Sequence, residues 1–323
     1  MKISKWIAVF STVVMGIIST ASAAHASEQH SERAPRIVGG DNLMIDQAPW
    51  QVLVHASNGI ISGYCGGAII ADNYVLTAAH CLTKFSAQEL TVFAGNEVWL
   101  DGEPIEVSTM FIHEDYDDKS FFADIALLKL SGSLPSNAKS ISLISASEQS
   151  ELETEMGISM PNNFFVSGWG ATSGDGVSET ILLKGVSMTG VSDSSCGWNY
   201  DSNYQFNSAF ANSIICANNT QAAGACSGDS GGPLVWQNPN RVADSDEGKR
   251  LAGVVSFGYK YQCGSQFYED GFTQVSTYLS WINAKMAEGN SVALGGGGGG
   301  GAAGWLSFIA LGLFMMRRRL HLS

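Results

Sequence analysis

Gly228-Asp229-Ser230-Gly231-Gly232-Pro233 is the stretch on which the reading of this chain turns. It sets one serine among glycines, where backbone N–H groups can turn toward an incoming carbonyl without side-chain obstruction. Gly-x-Ser-Gly alone is a common loop, whereas the six-residue string is specific. Upstream, Thr77-Ala78-Ala79-His80-Cys81 places a histidine at the end of an apolar strand, and Asp124-Ile125-Ala126-Leu127-Leu128 places a carboxylate at the start of another. A lone histidine in such a setting is more often structural, but the adjoining cysteine and the distant serine string reverse those odds. An unpaired charge is costly to bury where Asp124 stands, and a histidine partner resolves that cost. The set contains a nucleophile, a base, a carboxylate to orient the base and donors for an oxyanion, the parts that acyl transfer by a hydroxyl requires. The order His, Asp, Ser and the absence of Gly-x-Ser-x-Gly argue against an esterase or lipase, in which the order is Ser, Asp, His.

Outward from these motifs, the 323 residues divide into a middle large enough for one unit of two packed lobes and two atypical ends. Residues 1–26 carry Lys2 and Lys5, an apolar run from Trp6 to Ile18, and the small-residue patterns Ala21-Ser22-Ala23 and Ala24-His25-Ala26, which together read as a secretory signal peptide. A short membrane anchor is the alternative. At the other end, seven glycines at 295–301 precede an apolar stretch from Ala302 to Met316 and then Arg317-Arg318-Arg319. A spacer, a hydrophobic segment and a basic stop make a sorting or anchoring tail, although fifteen residues at about 1.5 Å each fall short of a bilayer core of about 30 Å. Between the ends, residues 37–294 hold 10 Lys and Arg against 28 Asp and Glu, a formal charge near −18. So acidic a body excludes nucleic acid as a partner and suits a soluble protein in a salty exterior.

Short runs rich in Val, Ile, Phe and Thr, namely Gln51 to His55, Gly67 to Thr77, Leu90 to Phe93 and Phe164 to Trp169, predict an all-β sandwich or barrel. Inside the domain a single helix is predicted, Ser276 to Ala287, with Tyr278, Leu279, Ile282 and Met286 on one face. Asn238 to Arg250 reads as an exposed hairpin loop. The six cysteines, Cys65, Cys81, Cys196, Cys216, Cys226 and Cys263, all lie in the middle segment. An even number in an exported chain argues for three disulfides, among fifteen possible connectivities, and the lack of a Cys-x-x-Cys pair argues against zinc.

Taken in order, Ile37-Val38-Gly39-Gly40, Thr77-Ala78-Ala79-His80-Cys81, Asp124-Ile125-Ala126-Leu127-Leu128, Gly168-Trp169-Gly170 and the Gly228 string resemble the chymotrypsin and trypsin type of serine protease, from Ile37 to about Ala287. The resemblance implies two six-stranded antiparallel β-barrels with a C-terminal helix, a cleft between them, and endopeptidase activity on protein or peptide substrates without a cofactor. It makes Ser230 the nucleophile, His80 the general base and later acid, Asp124 the residue that holds the imidazole tautomer, and the N–H groups of Gly228 and Ser230 the oxyanion hole. It pairs Cys65 with Cys81, Cys196 with Cys216, and Cys226 with Cys263. A catalytically silent homologue that binds partners at the cell surface is the competing reading, but such proteins usually lose a member of the triad. The tail resembles the bacterial GlyGly-CTERM sorting signal, which implies a Gram-negative envelope protein, contact with the membrane through the tail, and a tail-processing membrane protease.

Arg36-Ile37-Val38-Gly39-Gly40 matches the family's activation junction, so the resemblance implies a zymogen cut after Arg36 by an activating protease, with the freed Ile37 amine pairing with Asp229. The implied parts are a signal peptide at 1–26, an activation propeptide at 27–36, a protease domain at 37–287, a Gly-rich linker at 288–301 and a membrane-sorting helix with a basic tail at 302–323. Gly224 stands where trypsin-like enzymes carry aspartate at the base of the specificity pocket, and Asp270 stands where most relatives carry glycine. That pairing is similar to the crustacean collagenolytic proteases and implies broad specificity with a basic component. The alternative for Asp270 is a carboxylate facing solvent or paired with Lys260. Ser256-Phe257-Gly258 is expected to form the extended edge that pairs with the substrate backbone, Phe257 standing for the family's usual tryptophan. The loop from Gly95 to Gly102, with Glu97 and Asp101, does not match the family's calcium ligands, so no metal is expected.

Overall fold

The computed structural model describes residues 37–178 and 180–295, all within one compact unit. Thirteen strands form its frame: β1 (Asp41–Asn42), β2 (Gln51–Ser57), β3 (Ser62–Ala71), β4 (Tyr74–Thr77), β5 (Leu90–Ala94), β6 (Glu103–Ile112), β7 (Ala126–Leu130), β8 (Phe164–Gly168), β9 (Lys184–Val191), β10 (Ile214–Asn218), β11 (Pro233–Gln237), β12 (Lys249–Phe257) and β13 (Asp270–Gln274). Helices α1 (Ala146–Ile158), α2 (Ser208–Ala211) and α3 (Leu279–Gly295) complete it. The first barrel closes in the order β2-β3-β4-β7-β6-β5. The second runs β9-β10-β13-β12-β11-β8, closes through β8 on β9, and carries β1 as an added edge. Every strand pairing is antiparallel. The two six-stranded barrels and the terminal helix are the architecture expected from the motifs.

Side-chain alternation explains why the first-barrel strands read as continuous apolar runs. Val52, Val54, Val75, Ala126 and Leu128 fill that barrel's own interior. Their neighbours Leu53, Leu76 and Leu127 point the other way and join Val254, Phe272 and Trp236 of the second barrel. With a period of two, a strand buried on both faces loses its polar positions. The seam between the barrels is therefore packed, and it is where the site forms.

Three expectations about elements need correction. Gly67 to Thr77 is two strands, because Asp72 and Asn73 make a turn and β3 pairs with β4 across Ala71 and Tyr74. Helix α1 was not expected. It has no apolar stripe beyond Leu152 and Met156, and a capping box starts it, with Ser145 Oγ accepting from Glu148 N and Glu148 Oε2 accepting from Ser145 N. Helix α3 runs to Gly295, through the first part of the stretch expected as linker. Tyr74 O–H donates to the Met286 carbonyl and to Asn290 Oδ1, and Lys129 Nζ donates to the Gly289 carbonyl, so the first barrel holds the added turns. The loop from Asn238 to Arg250 does lie between β11 and β12, but its ends are anchored. Asn238 is buried and donates to Glu151, and Arg250 is buried against Glu148.

No helix among the described residues is long and apolar enough to cross a membrane. The segments expected as signal peptide, propeptide with Arg36, and sorting tail lie outside the described residues.

Candidate active site

Each site residue sits where a barrel strand ends at the seam. His80 occupies a single helical turn directly after β4, and the Cys65–Cys81 disulfide ties that turn back to β3. Asp124 precedes β7 and is fully buried. Its Oδ2 lies 2.7 Å from His80 Nδ1, and its Oδ1 accepts the His80 backbone N–H at 2.9 Å. Ser256 Oγ, on β12, donates to the same Oδ2, and Thr273 Oγ1, on β13, donates to the Asp124 carbonyl at 2.8 Å. A buried carboxylate is tolerable only when paired and hydrogen-bonded, and residues of both barrels meet that condition here. Ser256 was expected as a pocket residue. It lines the cavity, but its hydroxyl belongs to Asp124.

Ser230 lies in the loop before β11, clamped from both sides. Its carbonyl accepts from Gly66 N on β3 at 2.7 Å, while Gly231 N donates to the Val255 carbonyl at 2.8 Å and Val255 N donates to the Gly232 carbonyl at 2.9 Å. The glycines are required by space. Gly231 has φ 81° and a Cβ there would collide with Thr77 Oγ1. Gly228 has φ 97°, and its Cβ would come 2.7 Å from the Tyr64 ring. His80 and Ser230 both line a cavity of about 390 Å³ at the seam. With Nδ1 committed to Asp124, Nε2 is the remaining ring nitrogen, 3.8 Å from Cys81 Sγ.

Asp229 is fully buried, and its carboxylate accepts from Gly170 N at 2.7 Å and Cys226 N at 2.9 Å. A Cβ on Gly168 or Gly170 would collide with that carboxylate, which accounts for both glycines of the Gly168-Trp169-Gly170 motif. Burial nonetheless pushes the Asp229 carboxyl up to about 7. Ile37 is buried as well, and the Val38 carbonyl accepts from Gly224 N at 3.1 Å, so the start of the described chain braces the floor of the cavity.

Asp270 is buried at the start of β13 and lines the cavity. Its Oδ2 accepts from Ala225 N at 3.0 Å and lies 2.5 Å from where a Cβ on Gly224 would stand. Its Oδ1 lies 2.8 Å from the corresponding point on Gly258. The carboxylate therefore occupies the space that side chains at 224 and 258 would fill. It does not face solvent or pair with Lys260, whose Nζ sits 4.7 Å above the Tyr261 ring. Burial, followed by the nearby charges of Asp229 and Glu269, pushes the Asp270 carboxyl up to about 7.

An aromatic wall beside His80 was only partly foreseen. Phe121 stands edge-on to the imidazole at 5.8 Å and 5.7 Å from Phe257, which in turn touches Trp198 at 5.5 Å. Phe121 is three residues before Asp124 in a loop, so its place was readable only from that spacing. The disulfides Cys65–Cys81, Cys196–Cys216 and Cys226–Cys263 are present, with no free cysteine among the described residues. The Cys226–Cys263 bridge joins the Ser230 loop to the loop after β12, on the cavity rim. The one cluster of three His, Cys or acidic donors among the described residues is Cys65, His80 and Cys81, in which both sulfurs are already bonded to each other.

The same arrangement recurs in known proteins. The trypsin family profile matches residues 37–282. Trypsin beta of Drosophila erecta is 37% identical over 252 residues, covering 76% of this chain and 87% of that protein. Trypsin alpha of Drosophila melanogaster is likewise 37% identical, covering 86% of its length. The solved structure of HL collagenase superposes with a TM-score of 0.63 at 25% identity, covering 77% of this chain and 98% of that one. Relatedness over that span, falling on the two barrels and on the loops that meet at their seam, leaves one conclusion: the chain belongs to the trypsin family of serine proteases and is a serine endopeptidase.

Proposed function

We propose that this protein is an exported, surface-associated endopeptidase, made as a precursor and cut after Arg36, that cleaves proteins after Arg and Lys and also after uncharged side chains. The observation that carries the specificity is the buried Asp270 carboxylate, packed against Gly224 and Gly258, in the cavity that Ser230 also lines. A basic side chain entering there meets a carboxylate displaced from the trypsin position. The rest of the cavity, lined by Val255, Phe257 and Tyr259, accepts aromatic and aliphatic groups. Relatives named trypsins, and a fold relative named a collagenase, favour a protein substrate with a basic component.

In the proposed cycle His80 Nε2 takes the Ser230 proton as Oγ bonds to the scissile carbonyl carbon, and Asp124 stabilises the imidazolium so formed. The carbonyl oxygen becomes an oxyanion facing the N–H groups of Gly228 and Ser230, each such donor being worth about 10² to 10³ in rate. Collapse breaks the C–N bond, His80 returns its proton to the leaving amine, and water repeats the sequence on the acyl-enzyme. Precursor activation is supported by the burial of Ile37, by the Val38 bond to Gly224, and by the cost of burying Asp229 without a cation. A new ammonium at Ile37 would relieve that cost and order the cavity floor. Export is supported by the disulfides, which persist in oxidising compartments. The GlyGly-CTERM-like tail favours the envelope of a Gram-negative bacterium.

The test is hydrolysis of a P1 panel of Arg, Lys, Phe, Leu and Ala amides by protein cut after Arg36, with Ser230→Ala as control. Cleavage after Arg together with Phe or Leu is expected, all of it lost in the control. Cleavage of apolar P1 residues without Arg would refute the basic component, and no Ser230-dependent cleavage of any substrate would refute the whole reading.

A further inference from the structure

Asp270 is the one acid among the described residues that line the cavity, and it is held in an unusual way. Asp229 accepts two backbone N–H groups; Asp270 accepts one, from Ala225. The titratable groups around it come from every side of the cavity. Asp229 faces it from the Ser230 loop, Glu269 is its neighbour on the chain, Lys260 stands on the rim with its Nζ over Tyr261, and His80 lies across the opening. Near-complete burial weighs most against the ionised form, the like charge of Glu269 adds to it, and that of Asp229 adds only while no Ile37 ammonium pairs with it; the cation that would relieve them, Lys260, is turned onto an aromatic ring. The cavity thus contains a carboxyl that burial pushes up to about 7, held by a single backbone N–H.

We propose that the proton on Asp270 selects the class of P1 side chain, uncharged residues when the carboxyl is protonated and Arg or Lys when it is ionised. This rests on the reading of the cavity as the P1 pocket. A protonated carboxyl presents no net charge to an incoming Leu or Phe. An ionised one, sealed under an apolar side chain with a single N–H donor, would be left uncompensated, whereas a guanidinium or ammonium compensates it directly. The substrate's Arg keeps its charge throughout the working range, so the titrating partner belongs to the enzyme.

The experiment measures kcat/KM for matched Arg and Leu P1 amides from pH 5.5 to 9 with the cut wild-type enzyme. Taking the ratio cancels any pH dependence that both substrates share, and kcat/KM reports the free enzyme. The Arg to Leu ratio is expected to rise about tenfold per pH unit across the whole range, because each substrate is taken by one charge state of the carboxyl. Inhibition by benzamidine, a cation that fills the pocket without chemistry, should strengthen with pH up to about 7 and then level off, as the ionised fraction does. Asp270→Asn should flatten the ratio, and the wild-type benzamidine curve stands as evidence if that variant does not fold. A constant ratio in an enzyme that cleaves after Arg at every pH would overturn the proton selection and leave the P1 reading standing. Retention of the wild-type slope by Asp270→Asn would overturn it too, by assigning the titration elsewhere. No Arg cleavage and no benzamidine inhibition even at pH 9 would overturn both.

Discussion

Asp124 shows how much of the chemistry depends on single side chains from distant parts of the chain. Its carboxylate is ordered by His80 from one barrel and by the Ser256 hydroxyl from the other. Removing the hydroxyl leaves one lone pair of a buried anion unpaired, and a hydrogen bond to a charged group is worth about 1.5–3 kcal/mol. Ser256→Ala keeps the backbone that lines the cavity, so kcat is expected to fall by about tenfold to a hundredfold while KM for a small Arg amide stays close to wild type. Steady-state kinetics at pH 8 checks this. A change confined to KM would instead assign the Ser256 side chain to substrate binding.

Among the elements, α3 is the clearest case in which tertiary contacts extended what local pattern predicts. Its apolar face accounts for the turns up to Ala287; beyond that, the Tyr74 hydroxyl and Lys129 hold backbone and side-chain oxygens of residues 286–290. A typical hydrogen bond contributes about 0.5–1.5 kcal/mol, so Tyr74→Phe, which removes one hydroxyl proton shared between two acceptors, should lower stability by about 1 kcal/mol. Amide hydrogen exchange should speed up in residues 286–291 and stay unchanged in β8 to β11. Uniform loss of protection would show that α3 is coupled to the whole fold. Helix α1 makes the opposite point. Its residues lack an apolar stripe, and what makes it a helix is a capping box together with the docking of Leu152 and Met156 onto the second barrel's core.

Across the whole molecule, the two carboxyls pushed furthest up, Asp229 and Asp270, weigh most in the response to pH, with Asp193, raised to about 6 by burial, acting in the same direction. Asp229 and Asp270 both stand at about 7 in the folded chain, above the unfolded value of about 4. A carboxyl raised in this way favours folding while protonated, and its contribution is lost as pH rises from about 4 through 7. His113, held below its usual range chiefly by burial, acts in the other direction as pH falls. The urea midpoint of the uncut chain is therefore expected to drop between pH 5 and pH 8, by on the order of a few kcal/mol in stability. Protein cut after Arg36 should lose less, because an Ile37 ammonium beside Asp229 favours the ionised carboxylate. Equal losses in both forms would argue against that pairing.

The sequence by itself determined the family, the two-barrel fold, the presence of disulfides, the choice of His80, Asp124 and Ser230 as candidates and the unusual pairing of Gly224 with Asp270. These are legible because glycines at forced backbone positions, a histidine beside a bridging cysteine, and a carboxylate heading an apolar strand are local signatures of chemistry and of tight packing. Only the tertiary structure decided that the Ser256 hydroxyl serves Asp124, that Phe121 walls the cleft, and that Asp270 turns into the cavity instead of toward solvent or Lys260. It also decided that Gly67 to Thr77 is a hairpin and that α1 exists. Each of these depends on a partner tens to more than a hundred residues away, or on a turn inside an unbroken apolar run. The direction of a side chain on a strand is set by register and by the packing of one barrel on the other, quantities that no local window of residues contains.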